Sequence, residues 1–323
     1  MKKSFAIIAG EPNSISSEII FKTWKLRNEF THKPMFIIGS IELLNLQKKS
    51  LRYSIKIKKI DSNFNLNDLS GDELPVYDVK YKQKYPFEKI STNSSQYILK
   101  CFDVGIRLAK EKKIIGFINC PVSKEHLFKK KHQGITEFLS KKTGKIGDEV
   151  MLIYNKKLSV SPITTHIPLK HVSRKIKKND IIKKVKIINN FYNKVFNKKP
   201  SFAILGLNPH NFSTSKKSEE KEIIIKAIKK LTRAKVKVTG PVPPDSSFMI
   251  FHKYKFDIII GMYHDQVLTP FKALYNFEAI NITLGLPFLR ISPDHGVATN
   301  IVGEKKANPI SLIESIKFFN LTN

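Results

Sequence analysis

The sequence predicts an α/β fold with a largely parallel sheet and no Rossmann glycine fingerprint. Three observations carry the prediction. Short β-branched runs alternate with longer stretches of helical periodicity along the 323-residue chain. The turn after the first apolar run, GEPNSISSE, has one glycine where a dinucleotide fingerprint needs three. Titratable residues also gather directly after apolar runs, where the strands of an α/β sheet end and ligand sites form.

The elements follow in order. SFAIIAG (4–10) reads as a first strand; its apolar run stops at Gly10-Glu11-Pro12, too short for a signal-peptide core. SSEIIFKTWKLRNEF has helical periodicity, and PMFIIGS (34–40) reads as a second strand. Residues 60–90, rich in Asp, Asn, Gly, Pro and Lys, read as an irregular surface excursion. SSQYILKCFDVGIRLAKEKK predicts a helix with Ile98, Phe102, Ile106 and Leu108 near one stripe. IIGFINC (114–120), SFAILGL (201–207) and FDIIIGM (256–262) are further buried strands, and SEEKEIIIKAIKKLTRAK a further helix. There is no internal repeat and no long flexible linker, so segments crossing the sheet would join any two domains.

Composition narrows the function. At 41% hydrophobic and 10% aromatic, the sequence is one that folds. No apolar stretch approaches membrane-spanning length. Cys101 and Cys120 form neither a metal-ligand spacing nor a disulfide framework, which suits a reducing, cytoplasmic setting. The net charge of +30 invites a nucleic-acid reading, but only six of the 57 basic residues are arginine, the residue that best reads bases. Lysine is spread over the whole chain with abundant Asn and Ile, as in an A/T-rich genome. The expectation is a solvated lysine surface, with no nucleic-acid partner, whose field draws in anionic substrates.

The chemistry lies in GMYHDQVLTPFK (261–272), where Met262 to Gln266 follow a strand at once and are poor core material. Of nine histidines, three end strand-like runs: His166 after SPITT, His210 after AILGLNP and His264 after IIIGMY. A lone histidine there is usually a hydrogen-bonding cap; three in one context suggest convergence, and three imidazoles with an open position suit a catalytic divalent ion. His32, His126, His132, His171 and His252 lack that context and read as surface or helix residues.

TTHIPL, LGLNPH, GPVPPD, GMYHDQ, NITLGLPFLR and SPDHGVATNIVG resemble, in order and spacing, the 4-hydroxythreonine-4-phosphate dehydrogenase family of vitamin B6 biosynthesis, from GEPNSISSE to the final helix. The resemblance implies two α/β subdomains around a cleft, as in isocitrate and isopropylmalate dehydrogenases, with 1–125 and 285–323 in the first and 126–284 in the second. It implies a homodimer with its active site at the subunit interface. It places the metal ligands at His166, His210 and His264, with zinc expected ahead of magnesium, cobalt or manganese. It places substrate binding at Thr136, Lys272, Asn281 and Arg290, and cofactor contacts at His295, Gly296, Ala298 and Asn300. The cofactor implied is NAD. A related loop carries an aspartate where this chain has Asn300, so NADP is expected to be rejected only weakly. Asp265 is expected to orient a ligand or take a proton, with Lys272 beside it in the catalytic set.

The substrate implied is a phosphorylated 3-hydroxy-2-amino acid, whose phosphate Lys272, Arg290 and Asn281 can bind. Departures from the family bear on specificity. Its Pro-Gly-His-Thr-Glu turn here reads Gln133-Gly134-Ile135-Thr136-Glu137, so one polar substrate contact is gone. Glu11 replaces an aspartate in the first turn, and Asn211-Phe212-Ser213-Thr214-Ser215 replaces a glycine-rich stretch. The alternatives are a paralogue acting on D-threonate or D-erythronate 4-phosphate, and a non-catalytic metabolite-binding member.

Overall fold

β-Branched runs become strands wherever both faces are covered, and the buried runs predicted from sequence all do so. The computed structural model describes residues 4–128, 134–212, 217–276 and 278–322; of the residues singled out above, His132, Gln133 and Ser213–Ser215 fall outside these, as does the side chain of Phe212. In chain order the strands are β1 (Phe5–Ile8), β2 (Met35–Gly39), β3 (Ile57–Ile60), β4 (Leu74–Asp78), β5 (Gly116–Asn119), β6 (Val150–Tyr154), β7 (Ser159–Thr164), β8 (Ser201–Leu205), β9 (Lys237–Val242), β10 (Ile258–Tyr263), β11 (Ile280–Leu284) and β12 (Leu289–Pro293). The α-helices are α1 (Ser16–Leu26), α2 (Ile41–Ser50), α3 (Ser95–Lys110), α4 (Lys124–Phe128), α5 (Ile135–Thr143), α6 (Val172–Lys175), α7 (Lys178–Phe196), α8 (Ile225–Arg233), α9 (Pro244–Tyr254), α10 (His264–Tyr275) and α11 (Ile310–Asn320). The chain divides into two units, Met1–Ile135 with Pro287–Asn323, and Thr136–Leu286.

In the first unit the strands run β3-β4-β2-β1-β5-β12, and every pair is parallel. The stripe predicted on α3 is buried, with Ile98, Phe102, Ile106 and Leu108 each at most 6% exposed. Each such side chain contributes about 1.5–3 kcal/mol relative to exposure. α3 packs on β1, β2 and β5, and Gly105 lets it close in: a Cβ there would lie 3.1 Å from Ile8 and 3.3 Å from Phe117. Residues 60–90 correct the sequence reading. They contain β4, paired with β2 and β3, with Leu74 and Val76 wholly buried. Pro75 and the Gly71-Asp72-Glu73 approach hide the strand locally; pairing on both sides defines it.

In the second unit the order is β11-β6-β7-β10-β8-β9. β6 runs antiparallel to both β11 and β7, while β7, β10, β8 and β9 are mutually parallel along the order. Three predicted histidines therefore follow three adjacent parallel strands. α7 packs on β6, β7 and β11, and α10 on β7 and β10. The helix predicted over 218–235 opens as a wide π-turn at Glu220–Ile224 before α8. Among the described residues, no helix is long and apolar enough to cross a membrane.

Candidate active site

The ends of β7, β10 and β8 are laced by the side chains that made GMYHDQ conspicuous. The Thr164 hydroxyl donates to the Met262 carbonyl at 2.8 Å. Gln266 accepts from the Met262 amide at 2.6 Å and donates to the Gly206 carbonyl at 2.8 Å. Gln266 thus ties the β10 end to the LGLNPH loop after β8, satisfying backbone groups that a strand end leaves open. The loop itself is fixed by Glu220, which accepts from the Leu207 and Asn208 amides at 2.9 and 2.8 Å. Burial disfavours the charge on Glu220, but these hydrogen bonds outweigh it and hold the carboxyl below its ordinary 4.5.

On this frame His166 and His264 face each other, with ring centroids 5.9 Å apart. His264 opens α10, and its Nδ1 lies 2.6 Å from Asp265 Oδ1. His166 Nδ1 lies 3.2 Å from Glu137 Oε1. Burial raises Glu137, but hydrogen bonds from His166, its own backbone amide and Thr165 prevail and hold it below 4.5. An ionised carboxylate can only accept, so in this contact Nδ1 of His166 is the donor.

The two imidazoles are a partial donor set for a divalent ion. Two imidazoles sharing one ion place their centroids about 5–6 Å apart, and carboxylates behind Nδ1 are what metal-binding histidines generally have. His210 is placed differently. It is exposed, at φ +50°, beside Asn211 at φ +58°. Among the described residues no three His, Cys, Asp or Glu side chains are grouped to hold an ion, so His210 completes no triad within one chain.

The other predicted residues fall in two places. In the second unit, the Thr136 hydroxyl is buried 3.2 Å from that of Thr283. Asn281 lies two residues before Thr283, on the same face of β11. Its Oδ1 is buried with no hydrogen-bond partner among the described residues. Lys272 is exposed in the last turn of α10, and Asp265 is exposed beside His264. In the first unit, Arg290 is only 3% exposed and donates through Nε to Asn119 Oδ1 at 2.7 Å.

The HGVATN segment also belongs to the first unit. His295 Nδ1 lies 3.1 Å from the Gly296 carbonyl, Ala298 sits at φ +46°, and Asn300 is exposed in a 3-10 turn. The Ile15 amide donates to the Val297 carbonyl at 3.3 Å. Glu18 accepts from the Ala307 amide, and Lys22 donates to the carbonyls of Lys305 and Ala307, so α1 holds the loop. Lys306 is paired with Glu304 at 2.8 Å, which blunts its pull on a phosphate. Sequence reading singled out neither Glu137 nor Asn119 as a partner of a site residue. The contacts span 29 and 171 residues and leave no local signal, beyond Glu137 following Thr136.

The two α/β units, the first with a parallel sheet and the second with a mixed one, share the fold of isocitrate dehydrogenases. The isocitrate dehydrogenase of Methylococcus capsulatus shares the fold alone, at a TM-score of 0.50 and 7% identity over 98% of this chain and 85% of that one. The chain belongs to the family described as "Pyridoxal phosphate biosynthetic protein PdxA", whose profile matches residues 31–319. A relative from Sulfurihydrogenibium sp. (strain YO3AOP1), named 4-hydroxythreonine-4-phosphate dehydrogenase, is 37% identical over 97% of this chain and 96% of its own. The crystal structure of 4-hydroxythreonine-4-phosphate dehydrogenase from Klebsiella pneumoniae superposes at a TM-score of 0.84, with 28% identity and full coverage of both chains. The family is thus one of oxidoreductases.

Proposed function

We propose that this chain is an NAD(P)-dependent, divalent-metal-assisted 4-hydroxythreonine-4-phosphate dehydrogenase of the cytoplasm. It oxidises 4-phosphooxy-L-threonine to 2-amino-3-oxo-4-phosphooxybutanoate, which decarboxylates to 3-amino-2-oxopropyl phosphate in vitamin B6 biosynthesis. The observation that carries this reading is the His166–His264 pair, each ring with Nδ1 on a carboxylate.

His166 and His264 would hold the ion, zinc first among the candidates, with His210 of the partner subunit completing the set in a homodimer. When bound, such an ion would supply Lewis acidity at the substrate oxygen, and a nicotinamide would supply the hydride acceptor. The chain's own groups do the rest. Lys272 and Asn281 of the second unit, with Thr136 beside Asn281, and Arg290 of the first unit, its guanidinium held by Asn119, would each bind oxygens of the anionic substrate. Asp265, touching both solvent and His264, takes the proton that the substrate hydroxyl releases. The C3–H bond breaks as a hydride, and the resulting β-keto acid then loses carbon dioxide. His295, Gly296, Ala298 and Asn300 would contact the adenosine portion of such a cofactor.

A second reading has its own observation. Ile135 is 5% exposed, apolar where the family has a histidine that touches substrate, and so favours a substrate lacking the group that histidine recognises, such as D-threonate or D-erythronate 4-phosphate. NADH formation with each of the three phosphates, after chelation and metal add-back, separates the readings. Turnover with 4-phosphooxy-L-threonine at least tenfold above the sugar-acid phosphates is expected, and the reverse order would establish the paralogue.

A further inference from the structure

A half-buried carboxylate touches His166, and a half-buried lysine holds the end of the strand that leads to it. Glu137 sits in the first turn of α5, with Oε1 on His166 Nδ1 and on the Thr165 hydroxyl, at 3.2 and 3.3 Å. Its second oxygen, Oε2, is buried with no hydrogen-bond partner among the described residues. Lys184 lies on α7, the helix that packs on β7. Its Nζ donates at 2.7 Å to the carbonyl of Ile163, three residues before His166. Burial lowers the Lys184 ammonium, while the charges of Glu149, Asp180 and Glu137 work to keep it protonated. A buried carboxylate oxygen with no partner is costly unless the side chain is held by its other contacts, here His166 and Thr165.

We infer that Glu137 is a positioning residue that fixes the tautomer and ring orientation of His166, and that Lys184, through the Ile163 carbonyl, anchors the end of β7 from which His166 projects. The physical reason is selection of one nitrogen. Without an acceptor at Nδ1, the imidazole can protonate at Nε2 and lose the lone pair there. With Glu137 there, the ring offers Nε2 only. Thr165 adds a second donor to the same Oε1, so the carboxylate is oriented from two sides, and Lys184 holds the end of β7 that leads to His166. The inference rests on His166 being a metal ligand, but its first readout does not require metal.

The test uses the full-length protein. Nitrogen-15 spectra of the histidines in metal-free wild type, with His166→Gln to assign the signal, should show His166 protonated at Nδ1. Glu137→Ala should shift that population toward Nε2–H and weaken binding of Zn²⁺, titrated against a chelating dye, about 10–100-fold. Lys184→Met should weaken it in the same direction and less. Glu137→Gln keeps the shape and one acceptor oxygen, so it should restore part of the affinity lost in Glu137→Ala. If Glu137→Ala does not fold, the comparison of Glu137→Gln with wild type decides, a loss of several-fold being expected. An Nε2–H tautomer in wild type, or wild-type zinc affinity in the folded glutamate variants, would overturn the inference. If wild type binds no Zn²⁺ while the Nδ1–H tautomer is lost in Glu137→Ala, the positioning role stands and the metal reading falls instead.

Discussion

Glu11 shows how one residue can set a pH dependence. It is buried in the first turn, accepting from the Asn13 amide and the Ser94 hydroxyl. Burial is the largest influence and raises its pKa above 4.5, against smaller lowering by those hydrogen bonds and by the charge of His126. The folded chain therefore holds this proton to higher pH than the unfolded chain does. Across the window from 4.5 up to the raised folded value the native state binds more protons, so stability falls as pH rises. Glu11→Gln should abolish that component: in urea unfolding from pH 4 to 8, its stability relative to wild type should grow through the window and then level off. A constant difference would show that the shift is absent. Asn300 sets a second expectation. Its neutral amide can bond a ribose hydroxyl without repelling a 2′-phosphate, so Asn300→Asp should raise the NAD-over-NADP ratio of kcat/KM about tenfold or more. The pairing of Lys306 with Glu304 leaves the charge at position 300 as the main lever.

At the scale of elements, Gly116 fixes how β12 presents Arg290. The residue pairs with Leu289 in parallel register, and an added Cβ would lie 2.0 Å from the Leu289 carbonyl oxygen. Gly116→Ala must push β12 from β5, and the Asn119–Arg290 hydrogen bond spans the same pair of strands. The expected cost is about 1–3 kcal/mol in urea unfolding, with a raised KM for the phosphorylated substrate and little change for NAD. Equal losses for both ligands would mean a general defect. The same strands show what the sequence makes legible. β1, β2, β5, β8 and β10 announce themselves because both faces are buried and the runs are unbroken. β4 is concealed by Pro75 and its acidic approach, and the π-turn at 220–224 by a periodicity that continues into α8. The strand-end histidines stand out as polar residues where apolar ones stop. Glu137, Lys184 and Asn119 do not, because what each does depends on a neighbour brought in by another element.

For the whole molecule, the question is where the third imidazole comes from. His166 and His264 pair within one chain while His210 joins no cluster among the described residues, so one chain offers two ligands of the three expected. A homodimer resolves this if His210 of the partner subunit completes each site, and that arrangement has a sharp consequence. Mix a chain carrying His166→Ala and His264→Ala with a chain carrying only His210→Ala, and let the subunits exchange. Each parent dimer lacks at least one ligand at both sites and should be inactive and bind zinc weakly. The mixed dimer rebuilds one complete site, from the imidazole pair of the second chain and His210 of the partner subunit. With random exchange half the dimers are mixed, so about a quarter of wild-type activity and zinc capacity should return. If all three ligands belonged to a single chain, no mixture could rebuild a site, and activity would stay at the level of the parents. Two differently tagged chains, purified in sequence to isolate the mixed dimer, remove the dependence on exchange: one zinc per dimer supports the shared site, and none refutes it.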